Sequence, residues 1–141
     1  MLIKARAASV ENGRIGVISD THGLIRPEAL NVLRAVELII HAGDIGTDEV
    51  LAQLQKLARV IAIKGNNDVG PWARRIPDAI NLRLNGTKAH VIHDVHDWKN
   101  DVSTAGVRIV ISGHSHKPGI ITRNDVLFVN PGSAGPRRFK L

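Results

Sequence analysis

The chain has 141 residues, a length that favours one domain and suffices for a core without cross-links. It holds no cysteine, which excludes disulfides and thiolate metal sites, and no apolar run approaches the roughly 20 residues of a membrane helix. The net charge of +6 leaves nucleic acid open as a partner, but the charges form no long block and only two Phe, two Trp and no Tyr could stack bases, so a solvated basic surface is the favoured reading.

Residues 1–13, MLIKARAASVENG, are basic but lack the apolar stretch of a signal peptide, and are expected to be a flexible extension. With the absence of cysteine this points to a cytoplasmic protein. Residues 14–19, RIGVIS, form a short apolar run bounded by Gly13 and Asp20, as in a buried strand. Pro27 followed by Glu28 opens a helix to about Arg34. ELIIHA at 37–42 is a second strand. Thr47 reads as a helix N-cap with Asp48 and Glu49 in the first turn, and the helix runs to about Lys56. RVIAIK at 59–64 is a third strand.

Strand, helix, strand, helix, strand argues for a parallel sheet with crossover helices. The pattern then changes. AINLRL at 79–84 alternates, Asn85-Gly86 signals a hairpin, and TKAHVIH at 87–93 returns. A polar stretch at 94–106 is expected to hold a short helix. VRIVIS at 107–112 is another buried strand, and IITR and VLFVN flank a second hairpin turn at Asn124-Asp125. Two packed sheets with helices outside fit this order better than one sheet.

The residues just beyond the strands carry the chemistry. They are Asp20 and His22, then Asp44, then Asn66, Asn67 and Asp68, then His93, then His114 and His116. Ligands of open α/β sheets bind beyond the carboxyl ends of the strands. Asp-x-His, Gly-Asp or Gly-Asn-Asn-Asp alone would read as a cap or a turn. In Gly-His-Ser-His, alternate residues of an extended chain can aim both imidazoles at one spot. Together they offer nitrogen and oxygen ligands without sulfur, suited to Mn, Fe, Zn, Ni or Co. Seven of these nine as ligands exceed one tetrahedral site. They can hold two cations at the ~3.5–4 Å separation of two-metal hydrolases if one carboxylate bridges.

The segments SDTHG (19–23), HAGD (41–44), GNND (65–68), VIH (91–93), SGHSHKP (112–118) and NPGS (130–133) resemble, in order, the calcineurin-like metallophosphoesterase superfamily, in particular its small single-domain bacterial and archaeal phosphodiesterases. The resemblance implies an α/β fold, a four-layer sandwich of two mixed β-sheets flanked by helices, over residues 14–141. It implies two divalent transition-metal ions, manganese first, with Ni, Zn, Fe or Co as alternatives. Asp20, His22 and His116 would hold one metal and Asn66, His93 and His114 the other, with Asp44 bridging. The implied activity is hydrolysis of a phosphate ester, most naturally a diester, by a hydroxide bridging the metals.

Several positions depart from the family pattern. Asn67 stands where many members carry His and this branch often carries Cys. An amide donates a hydrogen bond but no proton, so a preference for good leaving groups is expected, or an acid from elsewhere, for which His96 is the candidate. Asp68 is expected to orient a ligand or bond backbone, and Asp94 to cap the short helix after His93. His41 is expected to be a packed, hydrogen-bonded histidine. Relatives usually extend past NPGS by at least one strand, and its loss would expose a sheet edge, lowering stability or inviting a second copy of the chain. Arg137 and Arg138 could meet phosphate or form a solvated tail. The alternative functions are a non-catalytic metal-binding scaffold of the same fold and a nucleic-acid-binding module.

Overall fold

The computed structural model describes residues 13–99 and 104–135, together with the backbone of a short strand at 6–8. The expected strands at 14–19, 37–42 and 59–64 are β2 (Ile15–Ile18), β3 (Leu38–His41) and β4 (Arg59–Ala62), joined by α1 (Pro27–Leu33) and α2 (Asp48–Gln55). They pair in parallel in the order β2-β3-β4. The hairpin is β5 (Ala79–Leu84) and β6 (Thr87–Ile92), and it leads on to β7 (Ile109–Ile111), β8 (Gly119–Arg123) and β9 (Val126–Asn130). With β1 (Arg6–Ala8) they form a second sheet in the order β1-β5-β6-β7-β9-β8. Both hairpins turn where Asn85-Gly86 and Asn124-Asp125 take left-handed backbone, the requirement of a two-residue turn matched to strand twist.

Period-two alternation explains how the sheets meet. Ile80, Leu82 and Leu84 of β5 point inward with Ala89 and Val91 of β6 and Ile111 of β7, against Leu38, Ile40 and Ile61 of the parallel sheet. β3 is buried along its whole length because Ile39 faces the other way, into a second cluster with Leu33 of α1 and Val50 and Leu54 of α2. An all-parallel strand covered on both faces reads as a continuous apolar run.

The expected α/β fold of two packed sheets with helices is present, with two refinements of detail and one correction, at residues 1–13. The larger sheet is mixed, but the smaller is parallel throughout its described strands. Both α-helices cover the smaller sheet; on the outer face of the larger one the described residues place a 3-10 turn at Val95–Asp97 and Trp98, whose ring stands edge-on to Phe128 at 5.5 Å. Within residues 1–13, expected as a flexible extension, Arg6–Ala8 pair in parallel with Leu82–Leu84 of β5. Arg137 and Arg138 lie outside the described residues. Among the described residues, no helix is long and apolar enough to cross a membrane.

Candidate metal centre

The carboxyl ends of β2, β3, β4, β6 and β7 come together at one edge of the two sheets. Hydrogen bonds continue the β2–β3 pairing beyond both strands, from Asp20 N–H to the Gly43 carbonyl (3.0 Å) and from His22 N–H to the Asp44 carbonyl (2.9 Å). The chain must then turn sharply to face the centre. It does so through left-handed backbone at Asp20 (φ 55°), His22 (48°), Asp44 (54°), His114 (70°) and His116 (63°). Such conformations cost a non-glycine residue about 1–3 kcal/mol each and persist only where the surroundings impose them. Five candidate ligands in this state mark a site built at the expense of local stability.

The residues form two groups of converging ligand atoms: Asp20, His22 and His116, and Asp44, His93 and His114. His22 Nε2 lies 3.7 Å and His116 Nε2 3.2 Å from Asp20 Oδ1. Asp44 Oδ2 lies between the groups, 3.2 Å from His93 Nε2 and 3.7 Å from His22 Nε2. Asn66 lines the cavity beside His93 and His114. The two imidazoles of Gly-His-Ser-His therefore do not share one spot, as alternation in an extended segment suggested. The left-handed turns at both residues send them to different groups, His116 beside His22 (ring centroids 5.3 Å) and His114 beside His93 (5.2 Å).

Each group is oriented by a further layer of contacts. Asp20 is fully buried; its Oδ2 accepts from Ser19 Oγ (2.5 Å) and from His114 N–H (3.0 Å). Its Oδ1 has no hydrogen-bond partner. His93 Nδ1–H donates to the Ala42 carbonyl at 2.7 Å, which leaves Nε2 facing the carboxylates, also without a hydrogen bond of acceptable geometry. A buried, partnerless carboxylate oxygen ringed by imidazole nitrogens suits a cation: first-row divalent ions take such ligands, and an imidazole bonded through its other nitrogen is held in the ligating tautomer. Burial alone would raise the Asp44 carboxyl and lower the His93 imidazole. The close approach of the His93 imidazole, 3.2 Å away, and the hydrogen bond from the Asn67 backbone outweigh this and hold Asp44 well below the usual carboxylate range. His93 is raised because Asp44 and the Ala42 carbonyl outweigh its burial. Both shifts describe a carboxylate and an imidazole that favour each other's charged forms, Asp44 as the anion and His93 as the cation.

Two glycines exist for close approach. A Cβ on Gly65 would collide with the Asp44 carboxylate, and one on Gly113 with Ser19 Oγ and the Asp20 carboxylate. The NPGS segment, which carried no assigned role in the sequence, holds this wall: Asn130 Nδ2 donates to the Gly113 carbonyl (2.9 Å) and Ser133 Oγ to the Asp20 carbonyl (2.9 Å). Side chains that bond a backbone carbonyl leave no signature in composition or spacing, so only the motif itself could have pointed to them.

Residues 14–141 match the family model of the calcineurin-like phosphoesterase superfamily domain. The chain belongs to this family. It is 41% identical over 132 residues to a probable metallophosphoesterase of Methanocaldococcus jannaschii, covering 84% of this chain and 67% of that protein. A solved archaeal phosphodiesterase is 27% identical, with a TM-score of 0.70 over 85% of this chain and 84% of that one. Vps29 of Entamoeba histolytica, solved in complex with zinc, is 25% identical, with a TM-score of 0.71 over 85% and 74% of the two chains.

In this phosphoesterase-family domain the remaining expected residues divide. Asn67 is at the centre, but its groups are turned to Asp44: its backbone N–H donates to Oδ1 (3.0 Å) and its Nδ2 to Oδ2 (3.1 Å). Asp68 is buried and accepts from the backbone N–H groups of Ile45, Gly46 and Gly65 at 2.9–3.0 Å, fastening the loops after β3 and β4 to each other. His96 is not brought to the ligands. Its side chain is 89% exposed, and its Nδ1 pairs with Asp94 Oδ1 at 2.9 Å. Asp94 caps the 3-10 turn through His96 N–H and also faces His114 Nε2 at 3.7 Å. His41 is a packed histidine: Gly43 N–H donates to its Nδ1, its Nε2–H donates to Thr21 Oγ1, and Thr21 donates to the Ile45 carbonyl. Burial, reinforced by the neighbouring His93, pushes its pKa down to about 3, so it is neutral.

Proposed function

We propose that this chain is a metal-dependent phosphodiesterase using two adjacent cation sites, Asp20, His22 and His116 on one side and Asn66, His93 and His114 on the other, with Asp44 shared. The observation that carries this reading is the buried Asp20 Oδ1, which has no hydrogen-bond partner yet faces His116 and His22, with Asp44 Oδ2 in the matching position toward His93. When bound, divalent cations, manganese first, would supply Lewis acidity to the phosphoryl oxygens and lower the pKa of a water between them. The chain's own residues do the rest. Asn67 fixes both oxygens of Asp44 so that its carboxylate cannot rotate away from either group. His93 is held in one tautomer by the Ala42 carbonyl. Asp68 keeps the two loops that carry Asp44 and Asn66 in register. A phosphate ester is the fitting substrate because four positive charges from two cations exceed the two negative charges of Asp20 and Asp44, leaving a cationic centre.

A second reading, a metal-binding scaffold without turnover, is favoured by one observation. Asn67 offers no ionisable proton, and the exposed His96 points to Asp94 rather than to the centre. Metal analysis of the purified protein separates the two, combined with hydrolysis of an aryl phosphodiester and an aryl phosphomonoester after stripping and restoring Mn, Ni, Zn or Mg. Turnover of the diester that Asp44→Ala and His114→Ala abolish supports the enzyme. Metal binding in the native protein without turnover supports the scaffold.

A further inference from the structure

The second ligand group opens onto a cavity of about 520 Å³, lined by Lys64, Asp78, Asp94 and Asp97 around an apolar floor of Ala79 and Ile92. The volume is that of a small-molecule site. Its charge runs against the rest of the molecule. The chain carries +6, yet this lining sets three carboxylates against one ammonium. Lys64 Nζ is already taken up, 3.7 Å from Asp78 Oδ1. Asp97 makes no ion pair among the described residues, and Asp94 has only imidazoles as ion-pair partners, besides accepting from the His96 backbone N–H. His93, with a relative exposure of only 6%, lines the same cavity with its Nε2 lacking a hydrogen bond. A ligand entering here therefore meets the candidate metal centre at one end and a carboxylate rim at the other.

We propose that this cavity receives a primary ammonium group on the alcohol side of the phosphodiester, so that the preferred substrate is a small aminoalkyl phosphodiester rather than a nucleotide. The inference rests on the phosphodiesterase reading above. Three features choose the ligand. Carboxylates at the rim attract a cation and repel the additional phosphates of a polynucleotide. The lining contains no aromatic ring beyond the ligand imidazoles, so it offers neither a stacking face for a base nor the cage that selects a quaternary ammonium. An ammonium with three N–H donors can be shared between Asp94 and Asp97 while its alkyl stem lies on Ile92 and Ala79.

The test compares 2-aminoethyl p-nitrophenyl phosphate with ethyl p-nitrophenyl phosphate on the metal-supplemented protein, the two esters sharing one leaving group. The aminoethyl ester is expected to show about fivefold higher kcat/KM, with an advantage that shrinks as salt rises, as for exposed ion pairs. The choline and thymidine esters should fall below it. Asp97→Asn should narrow the ratio between the aminoethyl and ethyl esters. Hydrolysis of both at equal kcat/KM overturns the cavity proposal and leaves the phosphodiesterase reading standing. If neither is hydrolysed, that reading fails, and calorimetric titration with phosphoethanolamine and ethyl phosphate decides the cavity: tighter phosphoethanolamine binding, weakened by Asp97→Asn, supports it, and equal binding overturns it.

Discussion

Asp20 and His116 sit behind a wall of backbone and pinned side chains, with His22 part-exposed beside them, whereas His93 and His114 line an open cavity. In the first group Asp20 is fully buried and His116 nearly so. In the second, the His114 side chain is 47% exposed and Asn66 stands at the surface. The same residue types, at the ends of strands of the same two sheets, thus make one enclosed and one accessible half. The difference arises in the loop that leaves each strand. The loop after β2 is closed over by the NPGS segment, through Ser133 on the Asp20 carbonyl and Ala134 N–H on the Ser19 carbonyl. The turn after β6 leaves the sheet edge toward solvent. The enclosed half is suited to holding an ion, and the accessible half to meeting substrate.

The strongest challenge to this division is the residue common to both halves. Asp44→Asn keeps the shape but removes the charge, and is expected to lower diester hydrolysis about 10²–10³-fold. Metal analysis should show both equivalents weakened, since a loss confined to one would mean that Asp44 is not shared. The next test splits the halves. His116→Ala should remove the more tightly held metal equivalent in a chelator competition, and His114→Ala the less tightly held one. The reverse order would break the comparison.

A pH experiment probes the support behind the enclosed half, where His41 holds Thr21 between Asp20 and His22. Its folded pKa of about 3 lies below the 6.5 of the unfolded chain, so between these values the unfolded state binds the extra proton. That contribution to stability is complete above 6.5 and is lost as pH falls toward 3. Urea unfolding of metal-stripped protein should weaken by about 1.4 kcal/mol per pH unit from 6.5 to 4.5 on account of this one group. The raised His93 does not interfere there, because it is protonated in both states below 6.5 and loses its contribution only as pH rises through its folded value. Asp44, held low, matters only below the ordinary carboxylate range. His41→Asn should flatten the slope. The smallest effect is expected for Ser133→Ala, about tenfold weaker metal retention in the enclosed half and none in the open one, read by the same chelator competition.

The strands and the candidate ligands could be read from the chain because both are written locally. Runs such as LIIH are apolar without interruption, hairpins carry Asn-Gly or Asn-Asp, and ligand-type residues come directly after strand ends. What escaped reading was long-range or conformational. Arg6–Ala8 find a partner in β5 that nothing in their own pattern names. The family resemblance, not the residues' own pattern, assigns His114 and His116 to different groups; the left-handed backbone that turns them apart is something an L-residue does not announce. Asn67 reads as a substituted acid, yet its hydrogen bonds tie it to Asp44. His96 lies two residues from Asp94 and is drawn to it, so nearness along the chain to His93 did not become nearness to the centre.

The edge-on stacking of Trp98 against Phe128 has a practical consequence. Trp98 comes directly after Asp97 of the acidic cavity but lines a separate groove with Val95, Arg123 and Phe128, while the other tryptophan, Trp72, packs among the helix-side residues of the smaller sheet. With no tyrosine in the chain, ultraviolet emission comes from these two indoles alone. Replacing Trp72 by Phe leaves a single native fluorophore, one residue along the chain from Asp97, so that a shift of the Val95–Asp97 turn can be followed as an intensity or wavelength change without attaching any dye.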